Sequence, residues 1–202
     1  MSVAPPPLEP AEDVSAATVR QFSVAEYQQL VATGIVTEDE NVELLEGFIV
    51  KKMSKDPIHE ATVAIIIELL TKRLPPGWHV RGQSASATAD SQPEPDVLIA
   101  RGAARDFIHR HPVAADIALV IEVANTSLRR DRGWKRRIYG RAGMVQYWVV
   151  DLRAMAIDVF TDPFQAGDDA GYRTVRTFGK GQAIDVPLDN AALTVRVDEL
   201  LP

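Results

Sequence analysis

The sequence predicts an α/β fold: a mixed central β-sheet flanked by helices, with additional antiparallel strands towards the C-terminus. Three observations predict it. Residues 117–124 are apolar except for Glu122, and residues 146–151 form a second such run; strands without alternation are covered on both faces. Between these runs, residues 128–142 read as a helix closed by Gly143. After residue 151 the chain shows short strand-like stretches at 156–160, 172–178, 183–186 and 193–197, separated by turns.

The elements follow in order. Residues 1–17 carry Pro5, Pro6, Pro7 and Pro10, three acids and no Lys or Arg, the composition of a disordered tail. Ser23 with Glu26 three residues on makes a capping box, so a short helix follows, with Leu30 and Val31 on its apolar stripe and Gly34 as its C-cap. Residues 42–45 and 48–53 read as two strands around a tight Glu46-Gly47 turn. Pro57 suits a first helical turn, and Ala61, Ala64, Ile65 and Leu69 recur at helical spacing up to about Arg73. Pro75-Pro76-Gly77 ends that helix. Residues 78–81 and 96–100 are further strands, the second following the rigid Pro93-Glu94-Pro95. No internal repeat or linker divides the chain, so residues 18–202 are expected to form one domain.

Composition excludes several classes. The chain has 202 residues, 46% of them hydrophobic, enough for a sizeable core. It has no cysteine, which excludes disulfides, thiol nucleophiles and Cys-ligated metal. No apolar run reaches the ~18–20 residues of a membrane span, and no signal-peptide pattern opens the chain, so the cytoplasm is the expected location and no membrane partner is expected. The formal net charge of −6 argues against a general nucleic-acid coat protein. That charge is unevenly spread. Residues 129–141 hold seven basic residues against the one acid Asp131, a local charge of +6, so the remaining residues carry −12.

Glu122 is the most informative single residue. An unpaired carboxylate inside a buried strand costs several kcal/mol, so it needs a partner, either a metal or a cation. Asp96 heads a second apolar strand. If the two strands are neighbours, both carboxylates reach one point at the end of the sheet, and hard oxygen ligands suit Mg²⁺ or Mn²⁺. The alternative is a pair of ordinary strand-end acids in salt bridges. The basic segment has two readings of its own: a phosphate-binding site built on Arg129, Arg130, Arg132 and Arg136, or a solvated helix face answering acids elsewhere. Asp131 and Lys135 lie at i, i+4 and hence on one helical face. Other candidates carry less. His109 and His111 with Asp106 sit on a polar loop and read as surface residues; Phe178 to Gln182 lacks the spacing of a phosphate loop and reads as a hairpin turn; no serine stands in a G-x-S-x-G context. Tyr147 and Trp148 read as core.

In order along the chain stand Glu43-Leu44-Leu45-Glu46-Gly47, Pro57-x-His59, Glu94-Pro95-Asp96-Val97, Leu119 to Val123, Asp131-Arg132-Gly133-x-Lys135, and Tyr139-x-Arg141-Ala142-Gly143-x-x-Gln146-Tyr147-Trp148-Val149-Val150-Asp151. Together these resemble the Uma-two family (the DUF820 domain), a branch of the PD-(D/E)XK nuclease superfamily, over roughly residues 20–165. The resemblance implies a restriction-endonuclease-like core with its site at one end of the sheet. It implies that Asp96 and Glu122 are the two motif acids and hold Mg²⁺ or Mn²⁺. The superfamily's usual lysine position is Ala124 here, and Lys135 from the following helix is the implied replacement. His59, Glu46 and Asp131 are auxiliary positions, with Asp131 pairing with Lys135 rather than binding metal. The implied activity is metal-dependent endonucleolytic hydrolysis of nucleic acid, DNA first, with a homodimer as a further expectation. The rival reading is a catalytically silent nuclease-like module binding nucleic acid or a protein. A carboxylate-pair glycosidase fits the acids alone but leaves the basic segment without a role.

Overall fold

In the computed structural model, which describes residues 19–202 apart from Asp168 and Asn190, Ser23 opens helix α1 (Val24–Ala32) through the expected capping box. The tail expected over residues 1–17 lies outside the described residues. Tyr27 rather than Val31 is the buried residue of α1, because the aromatic ring is needed to reach Leu44 across the first hairpin. That hairpin is β1 (Val42–Leu45) and β2 (Phe48–Lys51), joined by Glu46 at φ 49° and Gly47 at φ 81°. Two successive left-handed residues are what a tight two-residue hairpin turn requires.

Helix α2 (Pro57–Arg73) is capped by Asp56, whose carboxylate accepts the His59 N–H at 3.0 Å, with Pro57 at its first position. Its buried side is Thr62, Val63, Ile66 and Leu70, one residue round from the stripe read in the sequence. Alanines bury too little area to decide which way a helix faces; the branched and larger side chains do. Thr62 satisfies its hydroxyl by donating to the Ile58 carbonyl at 2.7 Å. His59, four residues before Val63, lies on this inward face.

Six strands form the main sheet in the order β3 (Trp78–Gly82), β4 (Val97–Arg101), β5 (Ile117–Ala124), β6 (Gln146–Asp151), β7 (Ala156–Ala166) and β8 (Asp169–Gly179). Only β5 and β6 run parallel, and the chain between them crosses one face of the sheet as α3 (Leu128–Arg130), a π-helical turn (Asp131–Lys135) and α4 (Arg136–Arg141). The helix expected over 128–142 therefore carries a wider turn in its middle. Against the other face pack α2, the small antiparallel sheet of β9 (Ala183–Leu188) and β10 (Ala191–Arg196), and α5 (Val197–Leu200). The architecture is the predicted mixed α/β sandwich with an antiparallel C-terminal part. Every residue of β5 and β6 is buried, as continuous apolar runs require. Trp148 and Tyr147 are both in the core.

Two C-terminal details differ from the sequence reading. Strands β7 and β8 run on into residues 161–171, which the sequence reading left as the turn between strands at 156–160 and 172–178. The turn at Gly179 to Gln182 connects β8 to β9, which belong to different sheets, so it is not a hairpin. Among the described residues no helix is long and apolar enough to cross a membrane.

The long β7–β8 hairpin lies against α4 at one point of close approach. A Cβ on Gly140 would overlap the backbone of Gly171. Gly140→Ala should therefore lower unfolding free energy by about 2 kcal/mol or more, the scale of overpacking against unyielding backbone. Urea denaturation reads this directly, and an unchanged midpoint would contradict the contact.

Candidate active site

The antiparallel register of β4 and β5 pairs Val97 with Ile121, which sets Asp96, one residue before β4, across from Glu122. The two acids lie side by side at one end of the sheet, on the face covered by α3 to α4. Asp96 Oδ2 accepts the Val123 N–H at 2.9 Å and lies 3.1 Å from His59 Nε2. Glu122 Oε1 accepts from Lys135 Nζ at 2.8 Å and from the Tyr139 hydroxyl at 2.8 Å. Lys135 leaves the last position of the π-turn and Tyr139 follows four residues later, so both point down onto β5. The sequence-derived trio of Asp96, Glu122 and Lys135 is thus assembled in one cleft, with Asp131 also on its wall.

A fourth acid sits at the same place and escaped the sequence reading. Glu43 of β1 is wholly buried; its Oε2 accepts the Glu94 N–H at 3.1 Å and lies 3.3 Å from Lys135 Nζ. Its other oxygen has only the Arg130 guanidinium nearby, at 3.9 Å. The signal that singled out Glu122, an acid inside an apolar strand, was equally present in Val42-Glu43-Leu44-Leu45. Glu46 goes elsewhere. It projects from the hairpin turn to accept from Trp134 Nε1 at 2.6 Å and to pair with Arg137 and Arg141, away from the cleft.

The electrostatics divide the two central acids. Burial pushes Asp96 up, but the His59 hydrogen bond and charge, the Val123 N–H and Lys135 outweigh it and hold the carboxyl below its ordinary value. Burial likewise opposes charge on His59, yet Asp96 raises it above the usual histidine value. Glu122 is pushed up to about 8, by burial first; Lys135 acts against this, and Asp96, Asp131 and Glu43 add to it. Lys135 stays charged because Glu122, Glu43 and Asp131 together overcome its burial. Burial also raises Asp131. Four carboxylates face Lys135, Arg130 and a shared His59 proton, so the cleft holds more negative than positive charge, a setting that favours uptake of a proton or a cation.

Asp96 Oδ1 and Glu122 Oε2 make no hydrogen bond to the described residues and are not sealed from the cleft. Two open carboxylate oxygens in an excess of negative charge fit Mg²⁺ or Mn²⁺, which bind through one or two carboxylates plus water. Among the described residues no group of three or more His, Asp and Glu forms a protein cage for a metal.

The basic segment is largely committed. Arg132 pairs with Asp158 at 2.6 Å and Asp151 at 3.2 Å, Arg141 with Asp90 at 2.7 Å, and Arg130 donates to the Lys51 carbonyl at 2.9 Å. With Lys135 and Arg137 also taken, only Arg129 and Arg136 lack a partner among the described residues.

A sequence model described as "Uma2: putative restriction endonuclease" matches residues 24–197. The chain belongs to the Uma2 family. Among solved structures, it is similar to the crystal structure of a putative nuclease belonging to DUF820 from Anabaena variabilis ATCC 29413, with a TM-score of 0.68 at 15% identity, over 89% of this chain and 97% of that one. The likeness at that identity establishes a shared α/β fold. A search of curated proteins found no match.

In this Uma2 chain the Glu46 cluster gives a clean pH test. Burial raises the Glu46 carboxyl, but hydrogen bonds from Arg137 and Trp134 and the charges of Arg137 and Arg141 leave it below its ordinary 4.5. A lowered carboxyl stabilises the fold fully above the unfolded value and loses that contribution as pH falls through the folded one. Glu46→Gln should thus lower the melting temperature at pH 7 and flatten its decline below about pH 4.5. Equal acid limbs in both proteins would show that the cluster contributes nothing.

Proposed function

We propose that this protein is a Mg²⁺- or Mn²⁺-dependent endonuclease hydrolysing phosphodiester bonds in DNA. The observation that carries the reading is Lys135: an ammonium delivered from the helix to 2.8 Å from Glu122, beside Asp96, where the superfamily's lysine position is the apolar Ala124. A lysine on a long flexible stem can bring its charge to the same space from a different element.

In this reading Asp96 and Glu122 hold the metal through the oxygens that face the cleft. When bound, the metal supplies Lewis acidity towards the scissile phosphate and a lowered pKa for an attacking water. The chain's own residues do the rest. His59 and the Val123 N–H fix the Asp96 carboxylate, Tyr139 fixes Glu122, and Lys135 keeps a positive charge next to the reacting phosphate, where negative charge builds up during attack. Arg129 and Arg136, without partners among the described residues, hold flanking phosphates.

One observation favours the rival reading of a silent, nuclease-like binding module. The Lys135 side chain is only 4% exposed and already has two carboxylate partners, as a purely structural ion pair would.

Incubation of the pure protein with plasmid, linear duplex and single strands in Mg²⁺, Mn²⁺ or EDTA separates the readings. The endonuclease reading expects metal-dependent cleavage that falls by at least ~10²–10³ in Asp96→Asn and Glu122→Gln, the scale for removing a charge-stabilising group. Melting temperatures must stay close to wild type for that comparison. Metal-independent binding without cleavage supports the silent module. A second expectation concerns pH: Glu122 must lose its proton to hold a metal, so Mn²⁺ affinity measured by calorimetry should rise up to tenfold per pH unit and level off above about 8. A flat profile from pH 6 to 9 would rule out Glu122 as a ligand.

A further inference from the structure

The cleft opens into a second groove, whose walls carry the two arginines assigned above to flanking phosphates. The two share Met53, Thr126, Ser127 and Arg130 on their walls, so the groove leads directly to Asp96 and Glu122. It follows the outer side of the 129–137 segment, and the two uncommitted arginines, Arg129 and Arg136, both line it. Asp169 is the one acid among its described lining residues. The positive charge left over after internal pairing is therefore collected along one channel rather than spread over the helix.

An aromatic ring shares the wall with those charges. Trp134 lines the groove, and its orientation is fixed from two sides: the indole N–H donates to Glu46 at 2.6 Å, and Phe48 meets the ring edge-on at 6.5 Å between centroids. A held indole beside two or three arginines is the combination that binds unpaired nucleic acid, stacking a base while the cations follow the backbone. It serves a duplex poorly, because paired bases offer no free face. The position of the catalytic groups points the same way. Asp96 and Glu122 are 8% and 4% exposed, at the floor of a cleft whose walls also carry Asp56 and Lys55 and the ion pair of Lys52 with Glu94. A single flexible strand can bend a phosphate down to that floor, whereas a stiff duplex cannot bend sharply enough to follow it.

We infer that the groove lined by Arg129, Trp134 and Arg136 binds an unpaired DNA strand and feeds it to the cleft, so that the preferred substrate is single-stranded DNA or a single-stranded branch. The choice of DNA and the role of the cleft rest on the nuclease reading above; the groove's affinity for an unpaired strand is measurable without cleavage.

The test is fluorescence anisotropy in EDTA with the whole protein. The probes are a labelled 20-nucleotide strand without secondary structure, the same sequence as duplex, and the same sequence as RNA. The strand is expected to bind at least tenfold more tightly than the duplex and no less tightly than the RNA. Arg129→Ala with Arg136→Ala should weaken strand binding about tenfold and reduce the log–log salt slope by about 1.4, or roughly 0.7 for each phosphate contact on a single strand. Trp134→Leu should cost about tenfold for the strand and leave the duplex unaffected, while Trp134→Phe should recover most of that loss. Because Arg129 is exposed and makes no hydrogen bond or ion pair among the described residues, its variant remains informative if Trp134 variants lose stability. Duplex bound as tightly as the strand, RNA bound more tightly than DNA, or arginine variants with an unchanged salt slope would overturn the inference. Strand binding that depends on the groove, in a protein that never cleaves with metal, would sink the nuclease reading and leave the groove assignment standing.

Discussion

Lys135 sits between two buried carboxylates, Glu122 of β5 and Glu43 of β1, and most of the functional end of the molecule is organised around that contact. Removing an ammonium and two carboxylates from water carries a desolvation cost of several kcal/mol per ion, which only close pairing and further hydrogen bonds offset. Here the additional bonds come from Tyr139 to Glu122 and from the Glu94 N–H to Glu43. Each partner belongs to a different part of the chain: the first hairpin, the Pro-Glu-Pro approach to β4, the central strand β5 and the crossover helix. The contact therefore fixes four segments relative to one another, and it does so at the spot where Asp96 emerges from the sheet.

The π-turn at Asp131–Lys135 belongs to the same arrangement. It closes with the Arg136 N–H on the Asp131 carbonyl and turns both Asp131 and Lys135 inward, while Tyr139 and Gly140 stay in place against β5 and β8. Wider helical turns of this kind concentrate at functional sites, because they re-aim one or two side chains without breaking the helix. The outcome is a cleft with more carboxylate than cation, in which His59 and Lys135 help keep Asp96 ionised while burial inclines Glu122 to hold a proton. Two acids held in unlike states within one site are a common arrangement for acid–base and metal chemistry.

Much of this was legible in the sequence, for identifiable reasons. Glu122 stood out because nothing else in its strand was polar, and the nearly unbroken apolar runs marked β5 and β6 as central. The capping box at Ser23, Pro57 at the start of α2 and the Glu46-Gly47 turn are local signals that the fold respects. What stayed hidden depended on contacts far apart in the chain. Glu43 bore the same mark as Glu122, but beside a turn it read as part of a hairpin; only its contact with Lys135, 92 positions later, shows its role. The extension of β7 and β8 through Pro163 is stabilised by packing against α4, which no local propensity encodes. The charge of +6 over residues 129–141 was plain, yet its partners Glu46, Asp90, Asp151 and Asp158 lie on four separate stretches of chain. The leftover charge, on Arg129 and Arg136, appears only after those pairs are counted.

The central claim is that the two register-opposed acids hold a divalent cation while Lys135 stays on Glu122. Crystals grown with Mn²⁺ and measured for anomalous scattering address it most directly. A manganese peak in bonding contact with Asp96 Oδ1 and Glu122 Oε2 is expected, with the Lys135 ammonium still in hydrogen-bond contact with Glu122 Oε1. A map with no manganese at these oxygens, or with the metal bound only elsewhere on the surface, would contradict it.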